Sequence, residues 1–546
     1  MIAHFVRAIA AQTFILVSTW IGAAAAEPMT FNTRARTQAA TGSDRIEVVE
    51  KQVQWDPART AVVVCDMWDK HHCPDATERV AEMAPRMNEV LKAARAKGML
   101  IIHCPSDTMD FYKDHPGRKL AQAAPKVETK VRLEGWCAVD GAKEPPLPID
   151  DSDGGCDGSP DSPSYKAWTR QHPALEIMEG DAITDSAEAF YLMRQHGITN
   201  VLIMGVHINM CVLGRPFAIR QMVTQGQNVL LMRDMTDSMY NHRKRPWVSH
   251  FRGTELVVEH IEQFWCPSVT SADFLGGEPF RFKGHVTKKI ALVIGENEYS
   301  TWETLPEFAR KELEWRGYEV STVLATHIET APDANTFGNF EAIRDADAVV
   351  VSVRRRTPQK AMMDLLRAHV AAGKPVVGLR TANHAFQANP PSADFATWND
   401  FDTAVLGGHY AGHYNNKPPV APHSLIEVVE SSAAHPVLTG VKTAPFRVTS
   451  HLYKCRNLAS TAVSLLQGRV EGQDAVEPVA WVHTTDDRRV FYISLGNVDD
   501  FKHAVFRRVL LNGILWSLKD PIPPAEFEIT TADARAPSPK PEKLAE

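Results

Sequence analysis

Two residues far apart in the chain have the types and settings for nucleophilic chemistry. Cys211 lies in "GVHINMCVLGRP", Gly205 to Pro216, directly after the apolar run Val201–Met204. That pattern predicts a buried strand, a turn, and a cysteine at the start of the next helix. A helix start presents unpaired N–H groups and a partial positive charge. Both favour a thiolate and a developing oxyanion. Asp66 closes a second apolar run, "TAVVVCDMW". A carboxylate there can take the thiol proton and return it to a leaving amine. Val206, His207 and Met210 form the turn expected to face the oxyanion. The competing reading is that Cys211 is a small buried hydrophobe, as many free cysteines are.

Further polar residues are candidates for ligand or metal contact. "IIHCPSDTMDFYKDH" places His103, Asp107 and His115 after a strand. No cofactor is demanded; a divalent metal is the one candidate, through these side chains. "PIDDSDGGCDG" is rich in oxygen ligands but lacks full calcium-loop spacing, so a solvated turn is expected. In the second half, His384, His409 and His413 in "GGHYAGHY", and His451 form a histidine-rich group. The spacing of His409 and His413 suits one helical face or turn. These histidines are candidates for metal or carbohydrate hydroxyls, with Tyr410, Tyr414 and Trp398 available to stack on sugar faces.

Strands alternating with helices must carry these residues. "MLIIHCPSD", "PALEIME", "NVLIMGV" and "NVLLMRDMTDS" read as strands after the first. "ATERVAEMAPRMNEVLKAARAKG", "AEAFYLMRQHG" and "CVLGRPFAIRQMVTQG" read as helices. Such alternation predicts an α/β fold with a doubly wound parallel sheet, and ligands then sit at the carboxyl ends of the strands. Residues 266–287, with Pro, Ser and Gly, read as a linker. A second α/β block follows, from "KKIALVIGENEY" to a closing helix, "FKHAVFRRVLLNGILWSL", with a hairpin turning at Asp486-Asp487. Residues 27–44 read as loose, and 521–546 as a disordered tail.

The order of strand–Asp66 and strand–turn–Cys211, in "AVVVCDMWD" and "VLIMGVHINMCV", resembles the isochorismatase-like cysteine hydrolases over residues 45–265. The resemblance implies a doubly wound sheet, hydrolysis of a small amide or related C–N compound, and a cis peptide at Val206–His207. The family's third catalytic residue is a lysine at a strand end before the cysteine. No lysine lies between Lys166 and Cys211, and "PALEIME" brings Glu179 to that place. Glu179 is therefore the third candidate, working differently, unless Arg170, Lys130 or Lys166 supplies the cation. Ile208 stands where the family has threonine.

"HPVLTGV", "HLYK", "PVAWVH" and "RRVFYISLGNVDDF" resemble the trehalose-utilisation, or ThuA-like, family over residues 288–520. That implies a fold like class I glutamine amidotransferases and an association with sugar metabolism. Glutaminase chemistry itself is excluded: Arg380-Thr381-Ala382 follows the strand where a nucleophilic cysteine would stand.

Composition sets the outer bounds. The 546 residues suffice for two domains or more. A net charge of −7 without a long basic stretch argues against nucleic acid. Arg7, the apolar run Ala8–Gly22 and the small residues Ala24-Ala25-Ala26 read as a signal peptide over residues 1–26. An exported protein, periplasmic or extracellular, is expected, with no membrane span after cleavage. A small-molecule substrate, a carbohydrate and a second copy of the chain are the expected partners. The eight cysteines form no CxxC pair, and Cys137 with Cys156 is the disulfide to be tested by geometry.

Overall fold

A computed structural model describes residues 27–40, 46–129, 131–159, 163–416, 422–485 and 487–529. Residues 1–26, expected to be a signal peptide, and Lys130, Asp486 and most of the tail lie outside the described residues. Among the described residues, no helix is long and apolar enough to cross a membrane.

The first sheet contains β1 (Met29–Gln38), β2 (Ile46–Trp55), β3 (Thr60–Cys65), β4 (Leu100–Cys104), β5 (Ala182–Ile183), β6 (Asn200–Val206), β7 (Asn228–Asp237) and β8 (Ser268–Val269). Their order is β2-β1-β8-β7-β6-β3-β4-β5. The strands from β8 to β5 are parallel. Every residue of β3 and β6 is buried, which is why both read as unbroken apolar runs rather than alternating ones. Val62 and Val64 face the layer containing helix Pro74–Ala96. Ala61, Val63 and Cys65 face the layer containing His250–Phe264. The chain winds outward from β3 through β4 to β5, then returns at β6 and winds the other way. Ligands in open α/β sheets bind at such a reversal, outside the carboxyl ends of the strands. Asp66 follows β3 and Cys211 follows β6, on the two sides of that crevice.

Several local expectations need correcting. Met29–Gln38 is not loose; it pairs with β2 along its whole length and extends the sheet antiparallel to β8. "PALEIME" is not a strand: a turn closes from Leu175 N–H to His172 O, and the short strand starts later, at Ala182. The expected linker contributes β8, and Asp273 accepts a hydrogen bond from Asn32 Nδ2 at 2.7 Å, so its first half packs with the first domain. The helix expected from Cys211 onward stops at Gly214 and resumes at Ile219. Pro216 is the cause: it disfavours helical backbone at the residue before it, and Arg215 is extended at φ −67°, ψ 158°.

The second sheet contains β9 (Lys289–Gly295), β10 (Glu319–Leu324), β11 (Ala348–Val353), β12 (Val376–Leu379), β14 (Ser424–Val428), β15 (Phe446–Val448), β17 (Ala462–Val470), β18 (Val476–Thr485) and β19 (Arg488–Ile493). β13 (His409–His413) and β16 (Tyr453–Arg456) form a separate ribbon. The order is β10-β9-β11-β12-β19-β18-β17-β14-β15, parallel up to β19 and antiparallel beyond it. Helix Ala504–Ser517 buries Phe506, Val509, Leu510 and Ile514 against this sheet. The chain is thus a pair of α/β domains.

Candidate active site

The crevice between β3 and β6 is built by close backbone contact. Gly205, at φ 115°, lets β6 lie so near β3 that a Cβ there would sit 2.0 Å from Cys65 O. Asp66 then leaves β3 in a left-handed conformation, at φ 46°. Its side chain is fully buried, and its Oδ1 accepts the Ser106 N–H at 2.8 Å. Across the crevice the Val206–His207 peptide is cis. Cys211 is 9% exposed, and its thiol interacts with the Asp66 carboxyl.

The cation of the site is Arg215. The break at Pro216 releases it from the helical path, and its Nε donates to Asp66 Oδ2 at 3.3 Å. Its Nη2 reaches Asp107 Oδ2, also at 3.3 Å. The guanidinium lies 5.8 Å from the centre of the Trp136 ring. Gly214 permits that approach, because a Cβ there would meet Trp136 at 2.8 Å. Arg215 also interacts with the Cys211 thiol. Sequence reasoning missed it by seeking a cation at a strand end before the cysteine. The signal that could have found it was Arg-Pro four residues after Cys211.

Burial dominates the electrostatics. It pushes the Cys211 thiol well up, Asp66 pushes it further, and Arg215 opposes both. Burial also raises Asp66, with Arg215 the strongest opposing influence. The resting state is therefore a protonated thiol beside a carboxyl group steadied by Arg215. Such a cysteine loses its proton as it attacks rather than standing as a free thiolate.

Around this cluster the Trp68 and Trp168 rings stack at 4.3 Å. His71 lies 5.7 Å from Trp168 and meets His207 edge-on at 5.0 Å. Burial, followed by the neighbouring His72, lowers His71 to about 4, and burial lowers His207 as well. Both rings are neutral near pH 7. His207 Nε2 and Trp168 Nε1 are buried without a hydrogen-bond partner among the described residues. A native structure rarely leaves such atoms unsatisfied, and here they are available to a ligand.

The acidic loop helps hold the cysteine turn. Asn209 Nδ2 donates to Asp151 Oδ2 at 2.7 Å and to Met239 O at 3.0 Å, while Asn209 Oδ1 accepts the Met239 N–H at 2.9 Å. Asn241 Nδ2 donates to Asp153 Oδ2 at 2.8 Å. Arg79 bridges Asp157 and Asp237, and His250 also lies between those two carboxylates. The loop is thus an internal fastening and differs from the expected solvated turn.

The other candidate residues have other partners. Glu179 is exposed, and no hydrogen bond or ion pair joins it to Cys211 or Asp66 among the described residues. Lys166 donates to Asp107 O at 2.5 Å, and Arg170 lies over Phe111. Met210 N–H donates to His207 O at 3.0 Å and is already engaged. His103 is buried between Gln171 Oε1 at 2.9 Å and Asp181 Oδ2 at 3.2 Å. His115 caps helix Pro116–Gln122 by accepting the Gly117 N–H. His103, Asp107 and His115 therefore have separate partners, and no set of three or more His, Cys, Asp or Glu side chains placed to hold a metal occurs among the described residues. All eight cysteines are free; Cys137 donates to Gln221 Oε1, while Cys156 packs with Cys73 instead.

In the second domain His409 and His413 lie on a strand, not a helix, and β13 is irregular between Tyr410 and His413. Four residues along a strand span about 13 Å, so the extended backbone itself separates the two histidines. His409 Nδ1 bonds to Asp402 Oδ2 at 2.7 Å, whereas His413 Nδ1 bonds to Tyr410 Oη at 2.8 Å. His384 lies 4.3 Å from Tyr410, and His413 lies 5.1 Å from His451. His384, His413 and His451 therefore gather around Tyr410 and Tyr453, and His409 is held apart.

Comparison with known proteins gives the following. No curated protein matches the chain. Among solved structures, a ThuA-like protein from Parabacteroides merdae is 16% identical, with 45% of this chain and 99% of that one covered and a TM-score of 0.33. A cysteine hydrolase from Pseudomonas syringae pv. phaseolicola is 17% identical, covering 40% of this chain and 92% of its own, with a TM-score of 0.26. An isochorismatase family protein from Burkholderia thailandensis is 15% identical, with 40% and 93% covered and a TM-score of 0.24. Residues 290–517 match the family model ThuA, described as trehalose utilisation, and this match falls on the second α/β domain.

Proposed function

We propose that the first domain is a cysteine hydrolase acting on a small amide or related C–N compound. The observation that carries this reading is the meeting of Cys211, Asp66 and Arg215 at the reversal point of the first sheet. In the first step Cys211 Sγ attacks the substrate carbonyl carbon while its proton passes to Asp66. The C–N bond then breaks, Asp66 returns the proton to the leaving nitrogen, and an acyl thioester remains on Cys211. Water attacks the thioester with Asp66 again as base, the C–S bond breaks, and the thiol regains the proton. Arg215 keeps Asp66 ionised before each proton transfer and offsets negative charge on sulfur.

The second domain provides a small-ligand site around His384, Tyr410, His413 and His451, with a carbohydrate as the proposed class of ligand. The N-terminal segment makes this an exported protein. The test for the first domain is turnover of a panel of small amides by wild type, Cys211→Ala and Asp66→Asn. Loss of turnover in both variants is expected; an active Cys211→Ala protein overturns the reading. A second reading keeps the ligand site and makes the first domain a non-hydrolytic scaffold. It is favoured by the strongly raised Cys211 thiol. Failure of wild type on the whole panel, together with an inert Cys211, selects it.

A further inference from the structure

We infer that the ligand of the second domain carries an oxyanion, as a sugar acid or sugar phosphate does, and that Arg355 receives it beside His384 and Tyr410. This deepens the ligand-binding part of the reading above and rests on it; it is independent of Cys211.

The place is the reversal point of the second sheet. β9 has β10 on one side and β11 on the other, so the crevice opens at the carboxyl ends of β9, β11 and β12. Three segments enter it: Glu296–Thr301 after β9, Arg354–Arg356 after β11, and Arg380–His384 after β12. Arg355 and Arg380 both have left-handed backbone, at φ 47° and 46°. Non-glycine residues rarely adopt it, and such outliers gather at ligand sites. Arg355 N–H donates to His384 O at 3.0 Å, tying two of the segments together.

The charge at this place is positive. Arg380 is 1% exposed, with its guanidinium 4.0 Å from the centre of the Tyr299 ring and 4.7 Å from that of Tyr453. Its Nη1 donates to Ser494 O at 2.7 Å, and Tyr299 also interacts with the guanidinium. Burial opposes its charged form, Tyr453, Tyr299 and Asp500 favour it, and the buried cation adds positive potential to the crevice above it. The carboxylates nearby already have hydrogen-bond or ion-pair partners. Glu298 pairs with Arg354 at 2.9 Å. Asp500 accepts from Ser450 Oγ at 2.5 Å, Gly496 N–H at 2.8 Å and Asn497 N–H at 2.9 Å. The Arg355 side chain is exposed and has no ion-pair or hydrogen-bond partner among the described residues.

The rings supply the rest of a sugar site. Tyr410 stands 4.8 Å from Tyr453 and 4.3 Å from His384. His384 Nδ1 is fixed by Asn383 Oδ1 at 2.9 Å. Burial, followed by Arg355, lowers His384 to about 3, so its ring is a neutral hydrogen-bonding group near pH 7. An exposed guanidinium for the acidic group, a neutral imidazole for a hydroxyl and a tyrosine ring edge suit a small hydroxylated anion.

The test is calorimetric titration of the full chain with glucuronate, glucose 6-phosphate and neutral trehalose, repeated with Arg355→Gln. The expected result is heat from at least one anion, none from trehalose, and affinity for the anion lowered about tenfold or more in Arg355→Gln. Arg355 is exposed, so Tm without ligand should be unchanged, which separates lost binding from lost folding. Response to glucuronate alone assigns a carboxylate, and to glucose 6-phosphate alone a phosphate. Trehalose binding as tightly as the anions, or anion affinity unaffected in Arg355→Gln, overturns the inference and leaves the ligand-site reading intact. No binding by any of the three probes overturns both.

Discussion

Replacing Arg215 with glutamine tests the active-site reasoning without first knowing the substrate. Arg215 Nε lies 3.3 Å from Asp66 Oδ2. The Asp66 side chain is fully buried and that of Arg215 is 21% exposed. Opposite charges about 4 Å apart attract by about 4 kcal/mol at an effective dielectric of about 20. Removing one member of a buried pair costs about 3–5 kcal/mol. Partial exposure of Arg215 places this case at the lower end, about 3 kcal/mol. The variant limits the loss by binding a proton at Asp66, whose carboxyl group burial already raises. The sign follows from linkage. A carboxyl raised in the folded state keeps its proton where the unfolded chain has lost it, so stability falls as pH rises from about 4 through the raised folded value. Arg215 opposes that rise in wild type, so the stability gap between wild type and Arg215→Gln should widen with pH. Urea unfolding at about pH 5 and about pH 8 reads the gap directly. Alkylation of Cys211 by iodoacetamide, followed by peptide mass, reads the same change at the thiol. Wild type should react slowly at neutral pH, because an ordinary thiol titrates near about 8.5 and this one lies above its usual range. Arg215→Gln should react more slowly still at the pH values where its Asp66 is ionised, since the thiol then keeps the Asp66 charge that raises it and has lost the Arg215 charge that opposes it. A stability gap independent of pH, together with an unchanged alkylation profile, would refute the role given to Arg215.

Other variants test the supports of the site. Asp66→Asn keeps the shape but removes the base, and turnover of any amide substrate should fall by about a hundredfold or more; near-normal kcat would remove Asp66 from the mechanism. Asn209→Ala breaks the bonds to Asp151 and Met239, and urea titration should show a loss of about 2–3 kcal/mol. Gly205→Ala would place a Cβ 2.0 Å from Cys65 O, so failure to fold or a sharply lowered Tm is expected; a wild-type Tm would contradict the strand contact described. His250 supplies a pH test in the opposite direction. Burial opposes its charge, yet Asp237 and Asp157 hold it at about 9. Its contribution should be complete below about 6.5 and be lost as pH rises toward the folded value. His250→Gln should therefore flatten stability across that alkaline window in chemical denaturation.

The sequence alone determined the apolar strands and the ends at which chemistry could occur. The runs at Thr60–Cys65 and Asn200–Val206 are unbroken because both faces of those strands are buried. Local pattern also placed Asp66 directly after the first run and Cys211 a short turn after the second. What it could not supply was the partner of that pair. A cation was sought at a strand end before Cys211, where Glu179 stands exposed, whereas tertiary packing brings Arg215 back from four residues beyond it. The cause is partly local, since Pro216 makes Arg215 extended. Its destination, a buried carboxylate 149 residues earlier in the chain, is set by the pairing of β3 with β6. The histidines follow the same logic. Spacing alone grouped His409 with His413, but the segment is a strand and not a helix, which parts them, and folding brings His413 to His384 and His451. Periodicity is a property of neighbours along the chain and can locate elements. Which side chains share a crevice depends on strand order, and that is decided only when distant runs exchange water for each other.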